Sequence, residues 1–323
     1  MQKEKKGSRV RHATKTEWGV GQLLEDANSQ SFHVFFEGAG EKFLAATAAD
    51  KLIWVNGEEA QSALLDNLYL PAQGKSRPMR TIAEAKARLL EIYPGGLHGQ
   101  KMKVHERDYK DRLSALTRQW YSPGGLQSAL TEGRYADVVQ LAYQLVKRNE
   151  NNLPATFEKM AFANAVKDHP RPKAFAEAFC AWLLPEQPSQ EAFDAFAKEL
   201  DHIGCAKWPL MTAYRFLLHP EVDVLIKPTN LANAAEVARF EINYRPELNW
   251  LTYSTVMAFY GYVKQQIADL QPRDMIDVQN FIWCIDPEYG GQDLRFVGVD
   301  AVLRLPATTF ASCSTWCARR HQV

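Results

Sequence analysis

Residues 32–44 have the sequence FHVFFEGAGEKFL, in which two short apolar runs flank a turn rich in glycine. Because side chains alternate along a strand, Val34 and Phe36 would lie on one face, with His33 and Phe35 on the other. Apolar runs separated by a glycine-containing turn are typical of a β-hairpin. The stretch therefore predicts two strands of a small sheet, with Val34 and Phe36 inside and His33 and Phe35 directed outward.

The pattern of short apolar runs extends over residues 8–55, where polar and glycine-containing turns separate each run from the next. Further strands are predicted around Val10, at residues 19–24, and at residues 50–55, and Leu44 joins Val10 in the interior. Four or five strands within about fifty residues fit a small, strongly bent barrel of the SH3 or Tudor kind. We therefore assign residues 1–56 to a β-barrel.

After Val55 the apolar period changes from two to about 3.6, which indicates amphipathic helices. Residues 57–79 are interpreted as a linker with one short helix, residues 80–290 as an α-helical domain and residues 291–323 as a tail. No repeat is found at the residue level. Helices are predicted at residues 82–93, 105–120, 134–149, 155–167, 173–184, 190–203, 208–218, 231–239, 250–270 and 273–285. The predicted fold class is α+β, a small SH3/Tudor-like β-barrel followed by a larger irregular α-helical domain.

Composition excludes several broad classes of protein. The 323 residues contain 38 Lys and Arg and 38 Asp and Glu, so a uniformly basic nucleic-acid coat protein is excluded, although local basic faces are not. No window approaches the roughly 18 to 20 uninterrupted apolar residues of a membrane span. Five widely spaced cysteines and the lack of an apolar leader indicate reduced thiols. We expect a soluble, cytoplasmic protein with no membrane partner.

The order of four motifs in the first 44 residues carries a resemblance to known families. These motifs are GSRVRH at residues 7–12, WGVG at 18–21, FHVFF at 32–36 and GEKFL at 40–44. Together they resemble the small Tudor-like barrels at the C-terminus of UvrD-type DNA helicases and in CarD-type RNA-polymerase-binding regulators. The resemblance covers about one sixth of the chain, and it implies a non-catalytic module that binds RNA polymerase, another DNA-processing protein or nucleic acid.

Two segments of the helical part, residues 106–110 and 272–283, resemble only uncharacterised bacterial proteins, some of which accompany phage-defence genes. This resemblance implies no site residue.

Candidate binding residues come from basic side chains near an aromatic ring and from two basic stretches, residues 1–15 and 75–118. In the alternative interpretation, Trp18 plugs the barrel interior and the basic residues of the barrel are solvated. In the helical part, ion pairing or solvation are the alternatives to phosphate contact. The predicted residues for binding nucleic acid or a partner are Arg9, Arg11, Lys15, Trp18, Lys42, Arg107, Lys110 and Arg112.

Patterns that could support catalysis or metal binding are incomplete. The segment Pro220–Lys227 has Leu225 where a metal-dependent nuclease needs an acid, and it is better explained as a connection between helices. Asp274 and Asp277 could share a metal, but they are also typical first-turn acids of a helix. Cys313, Cys317 and His321 are spaced by four and lack the fourth ligand that a structural zinc site requires. The sequence contains no phosphate loop, dinucleotide fingerprint or nucleophile elbow, so no catalytic residue, metal or cofactor is predicted.

The sequence therefore favours a non-enzymatic adaptor that acts on nucleic acid or on the transcription or DNA-processing machinery through its barrel. The alternative is an accessory subunit of a bacterial anti-phage defence or restriction system, docked on an ATPase or nuclease partner. An enzyme with an unfamiliar helical active site is a third hypothesis.

Overall fold

The computed structural model describes residues 5–28, 30–71, 77–167 and 169–288. Five antiparallel strands come first, and they are arranged in the order β4-β3-β2-β1-β5. The predicted hairpin is confirmed, because β3 pairs with β4 from Ser31 opposite Ala45 to Phe36 opposite Gly40. The strands are β1 (Arg9–His12), β2 (Val20–Leu23), β3 (Ser31–Phe36), β4 (Gly40–Ala45) and β5 (Leu52–Val55).

The concave face of the sheet encloses a small apolar core. Val10, Val34 and Phe36 are fully buried there as predicted, and Leu44 packs against them from the edge of the core. A side chain at Gly21 would have no room, because a Cβ atom would lie 2.6 Å from the ring of Phe36. The core consists of Val10, Leu23, Phe32, Val34, Phe36 and Leu52.

The outward prediction for Phe35 is wrong, since only 1% of this residue is exposed. The register places Phe35 beside Gln22, which in turn lies beside Arg9 on the convex face of the sheet. Arg9 forms an ion pair with Asp66, 2.6 Å away in the first helix. This face of the sheet therefore contacts the segment that follows β5. Alternation of side chains along a strand cannot predict such a contact.

Helices make up the rest of the described chain, so the α+β class is confirmed. Pro123, Pro172 and Pro228 are the first residues of their helices. A proline at this position costs no hydrogen bond, because the N–H of the first residue has no partner within the helix. None of the helices in the described ranges is long and apolar enough to cross a membrane. The helices are α1 (Ala63–Asp66), α2 (Ile82–Ile92), α3 (Gln100–Met102), α4 (Asp108–Trp120), α5 (Pro123–Thr131), α6 (Tyr135–Val146), α7 (Thr156–Lys167), α8 (Pro172–Leu183), α9 (Gln190–His202), α10 (Trp208–Leu218), α11 (Pro228–Ala238), α12 (Trp250–Gln266) and α13 (Met275–Ile285).

The sheet and the helices are connected by contacts as well as by the chain. The hydroxyl of Ser62, which caps α1, donates a very short hydrogen bond to Glu37 at the end of β3. Leu68 forms an isolated antiparallel bridge with Phe240, which follows α11. The segment after β5 is thus tied both to the sheet and to the helical part.

Candidate binding surface of the barrel

Trp18 lies at one end of the barrel and closes its core. It is the last residue of a short 3-10 turn, Thr16–Trp18. The residue before this turn is held in place because His12 Nδ1 accepts the backbone N–H of Lys15 at 3.1 Å. The indole centroid lies 5.0 Å from the rings of both His12 and Phe36. Trp18 is therefore half-buried, as the plug interpretation requires, and its substitution would disturb the core as well as the surface.

Lys42 is the predicted basic residue that lies next to Trp18. Its ammonium group is 5.8 Å from the centre of the Trp18 ring, within the range of a cation–π contact. Arg9 and Arg11 instead project from the convex face of β1, on the opposite side from Val10, which lies in the core. The structure therefore brings Trp18 and Lys42 together and separates them from the two arginines.

The remaining basic residues of the barrel differ in their partners. Arg9 is paired with Asp66 and is largely buried, whereas Arg11 and Lys15 are exposed. Arg11 makes a long contact of 3.5 Å with the carbonyl oxygen of Glu59. Arg11 and Lys15 thus stay accessible, and Lys15 adjoins Trp18, whose backbone N–H donates to the Lys15 carbonyl oxygen at 3.0 Å.

An exposed aromatic stack lies on the edge strand β4. Phe43 is 70% exposed, and its ring stacks on His33 with centroids 4.0 Å apart and planes 13° apart. His33 Nε2 lies 3.2 Å from a carboxylate oxygen of Glu41, which holds the imidazole from the same face. Among the described strands β4 pairs with β3 on one side and has no strand on its other side.

Sequence reasoning missed Phe43, although the signal was present. Leu44 was placed inside the barrel, and strict alternation then puts Phe43 outside. An apolar aromatic residue on the outward side of an edge strand is unusual, because such edges attract other chains. Phe43 is therefore an exposed apolar residue on an edge strand, as is Ile53, 52% exposed, on the other edge strand β5.

Arg107 does not face solvent, which corrects its predicted role in binding phosphate. Its guanidinium donates to both carboxylate oxygens of Asp274 at 2.6 Å and to Asp277 at 3.0 Å. Burial alone would lower the pKa of Arg107, but the hydrogen bonds and charge of Asp274 outweigh it and raise the pKa above its usual range. Arg107, the residue before α4, therefore ties the start of α4 to α13.

Lys110 is also removed from solvent, with 0% of the residue exposed. Its ammonium group donates to Gln279 at 2.8 Å and to Asn280 at 2.5 Å, and Glu106 lies 3.3 Å away. Burial lowers the pKa of Lys110. Arg112, on the exposed side of the same helix, is the residue of this predicted trio that remains accessible.

The residues weighed for metal chemistry are engaged in packing. Asp274 caps α13 by accepting the backbone N–H of Ile276 at 3.0 Å, so the interpretation as first-turn acids is confirmed. Pro220–Lys227 connects α10 to α11, as predicted. No group of three or more metal-ligating side chains occurs in the described ranges, and Cys313, Cys317 and His321 lie outside them.

The comparisons with known proteins concern the barrel. A family model described as "Protein of unknown function (DUF3553)" matches residues 5–52, which run from the start of the described chain to the first residue of β5. No curated protein and no solved structure matches the chain. The similarity thus covers the N-terminal sheet and carries no activity in its description.

Proposed function

We propose that the chain is a binding protein whose barrel docks an extended segment of a partner protein along β4. The observation that carries this proposal is the exposed Phe43, stacked on His33 beside an edge that no described strand pairs. A partner segment would add a strand to β4, so that main-chain hydrogen bonds supply affinity. Phe43 would supply an apolar contact at the centre of the interface, where aromatic residues contribute most.

The distribution of charge favours a protein partner over nucleic acid. Binding to a phosphate backbone depends on cations that can replace counterions. Arg9, Arg107 and Lys110, three of the eight predicted contact residues, are instead paired with acidic side chains within the fold. Of the predicted cations, Arg11, Lys15 and Arg112 stay exposed.

The class of partner follows from the resemblance of residues 7–44 to the barrels of UvrD-type helicases and CarD-type regulators. Barrels of those families bind partners, often RNA polymerase and sometimes nucleic acid. We extend this to the present chain as a proposal, with β4 as the docking strand.

The test compares two substitutions of exposed phenylalanines in the full-length chain. Phe43→Ser removes the aromatic stack of β4, whereas Phe157→Ser changes a residue of α7 that is 67% exposed and far from β4 in sequence. Tagged wild-type and variant chains are used to capture partners from a bacterial lysate, and hydrogen exchange of the captured complex is then measured. We expect one partner to be lost with Phe43→Ser only, and the amides of residues 40–45 to be protected in the complex.

Fluorescence anisotropy with labelled DNA and RNA over a range of salt concentrations completes the test. Steeply salt-dependent binding that Phe43→Ser leaves intact would overturn the proposal in favour of a nucleic-acid-binding protein. Equal loss of the partner with Phe157→Ser, or no protection of β4, would also contradict it.

A further inference from the structure

The main chain of β4 directs hydrogen-bonding groups of alternate residues away from β3. The carbonyl oxygen of His33 accepts the backbone N–H of Leu24 at 2.9 Å, so the main-chain groups of His33 are directed at β2. Opposed residues of an antiparallel pair either bond each other or both face away, and His33 lies opposite Phe43. The N–H and carbonyl groups of Phe43 are therefore directed at the edge of the sheet on which no described strand pairs.

A strand added at this edge would meet a different surface on each face of the sheet. On the convex face, Phe43 is 70% exposed. On the concave face, the side chain of Lys42 extends over the ring of Trp18. Because side chains alternate along both strands, one residue of the added strand would contact Phe43, and its neighbour in sequence would lie beside Lys42.

The positive charge of Lys42 is not neutralised by an ion pair among the residues that the structure describes. Its ammonium group lies 5.8 Å from the centre of the Trp18 ring, and a cation–π contact leaves the charge in place. Lys42 is half-buried, and a docked strand would exclude further water from it, which strengthens its attraction for an opposite charge. An Asp or Glu side chain of the partner is therefore the complement of this position.

The charge of Glu41 disfavours the reverse arrangement. Its carboxylate lies 3.2 Å from His33 Nε2, on the face of the sheet that carries Phe43. An acidic side chain placed opposite Phe43 would lie diagonally across from this carboxylate, and like charges on neighbouring strands are destabilising. The acid of the partner is thus favoured on the concave face only.

The other edge strand does not make this distinction. β5 has the sequence LIWV at Leu52–Val55 and carries no charged side chain. A segment docked there would gain nothing from an acidic residue at a particular position. The combination of an exposed aromatic ring on one face and a cation on the other belongs to β4.

We propose that the partner segment docked on β4 carries an apolar residue against Phe43 and, next to it in sequence, an acidic residue against Lys42. This rests on the proposed function, because it specifies the chemistry of the strand that β4 docks. Phe43 supplies the apolar contact, and Lys42 selects segments whose acid lies on the concave face.

The experiment uses the full-length chain and a phage-displayed library of random peptides as the probe. The tightest peptide is synthesised with two counterparts. In the neutral counterpart each Asp and Glu is replaced by Asn or Gln, and in the exchanged counterpart the acidic residue and its apolar neighbour trade places. All three peptides are titrated against the wild type, Lys42→Gln and the control Lys51→Gln, which removes an exposed charge just before β5.

We expect Lys42→Gln to weaken the acidic peptide about two- to fivefold, the size of one partly exposed ion pair, and to leave the neutral counterpart unchanged. Lys51→Gln should change neither affinity. The exchanged counterpart has the same composition as the selected peptide, and it should bind the wild type more weakly. Lys42→Glu should in turn prefer a peptide that carries Lys in place of the acid.

The two proposals fail in different ways. If Phe43→Ser weakens every peptide but Lys42→Gln weakens none, β4 docks a strand without selecting an acid, and the charge pattern is overturned. Equal effects of Lys42→Gln and Lys51→Gln, or an equal loss for the acidic and neutral peptides, would also overturn it. If the library yields no binder, or if the selected peptides ignore Phe43→Ser, the docking of a strand on β4 is itself contradicted.

Discussion

Arg215 and Asp223 form an ion pair from which solvent is completely excluded, with Nε and Oδ2 2.6 Å apart. Asp223 also accepts a hydrogen bond of 2.6 Å from the hydroxyl of Tyr253 in α12. Arg215 in α10 donates further bonds to the carbonyl oxygen of Trp182, within α8, at 2.5 Å and to that of Pro185, after α8, at 2.7 Å. A single pair of charges therefore joins three helices and the loop that precedes α11.

Removing one member of this pair would leave the other buried without a counter-charge. We expect Asp223→Ala to lower the free energy of unfolding by about 3–5 kcal/mol, measured by urea denaturation. Glu221→Ala is the matched control, because Glu221 forms an exposed pair with Arg118 at 2.8 Å, and its loss should cost less than about 1 kcal/mol. Similar effects of the two substitutions would show that the buried pair contributes no more than a surface one.

Stability should decrease in acid because of Asp277. Burial alone would raise the pKa of this carboxyl group, but hydrogen bonds from Arg273 and the charge of Arg107 outweigh it and lower the pKa. A pKa that is lower in the folded state stabilises the fold above the unfolded value of about 3.9, and this stabilisation is lost as the pH falls through the folded value. Unfolding measured from about pH 6 down to pH 3 should therefore show a shallower loss of stability in Asp277→Asn. Asp194→Asn, on the exposed side of α9, should keep the wild-type slope, and a wild-type slope in Asp277→Asn would contradict the assignment.

The core of the barrel should not tolerate a methyl group at Gly21. A Cβ atom there would lie 2.6 Å from one carbon of the Phe36 ring and 2.9 Å from Val34, both of which are fully buried. We expect Gly21→Ala to destabilise the protein by about 1–3 kcal/mol, with the loss of hydrogen-exchange protection concentrated in β1 to β5. Gly124→Ala, in α5, meets no atom within 4 Å and should be neutral or stabilising by up to about 1 kcal/mol. An unchanged stability for Gly21→Ala would mean that Phe36 can move aside.

Local patterns predicted the fold of this chain well because strands and helices impose periods of two and 3.6 on apolar residues. Val34 and Phe36 were placed correctly by alternation, and most of the longer helices were found from their spacing, although α5 (Pro123–Thr131) was missed. The same alternation failed for Phe35, since it distinguishes two faces of a strand but not whether the second face is covered.

The candidate site was less predictable, because it depends on partners that are distant in the sequence. Arg107 was expected on a solvated or phosphate-facing helix surface, yet it pairs with Asp274, 167 residues further along the chain. Nothing within a few residues of Arg107 indicates that partner. The exposure of Phe43, in contrast, could have been predicted, because alternation along β4 directs Phe43 outward when Leu44 points inward.

The burial of Phe35 affects whether the N-terminal sheet can be produced as a separate fragment. A fragment ending near residue 56 would lack Ser62 and Asp66, the partners of Glu37 and Arg9, and it would expose the convex face that carries Phe35. Because His33 and Phe35 lie on the same face of β3, such a fragment would present apolar surface on that one face, from Phe35 to the Phe43 stack. One face of the sheet is therefore divided between a part that is buried in the whole chain, at Phe35, and a part that stays exposed, at Phe43.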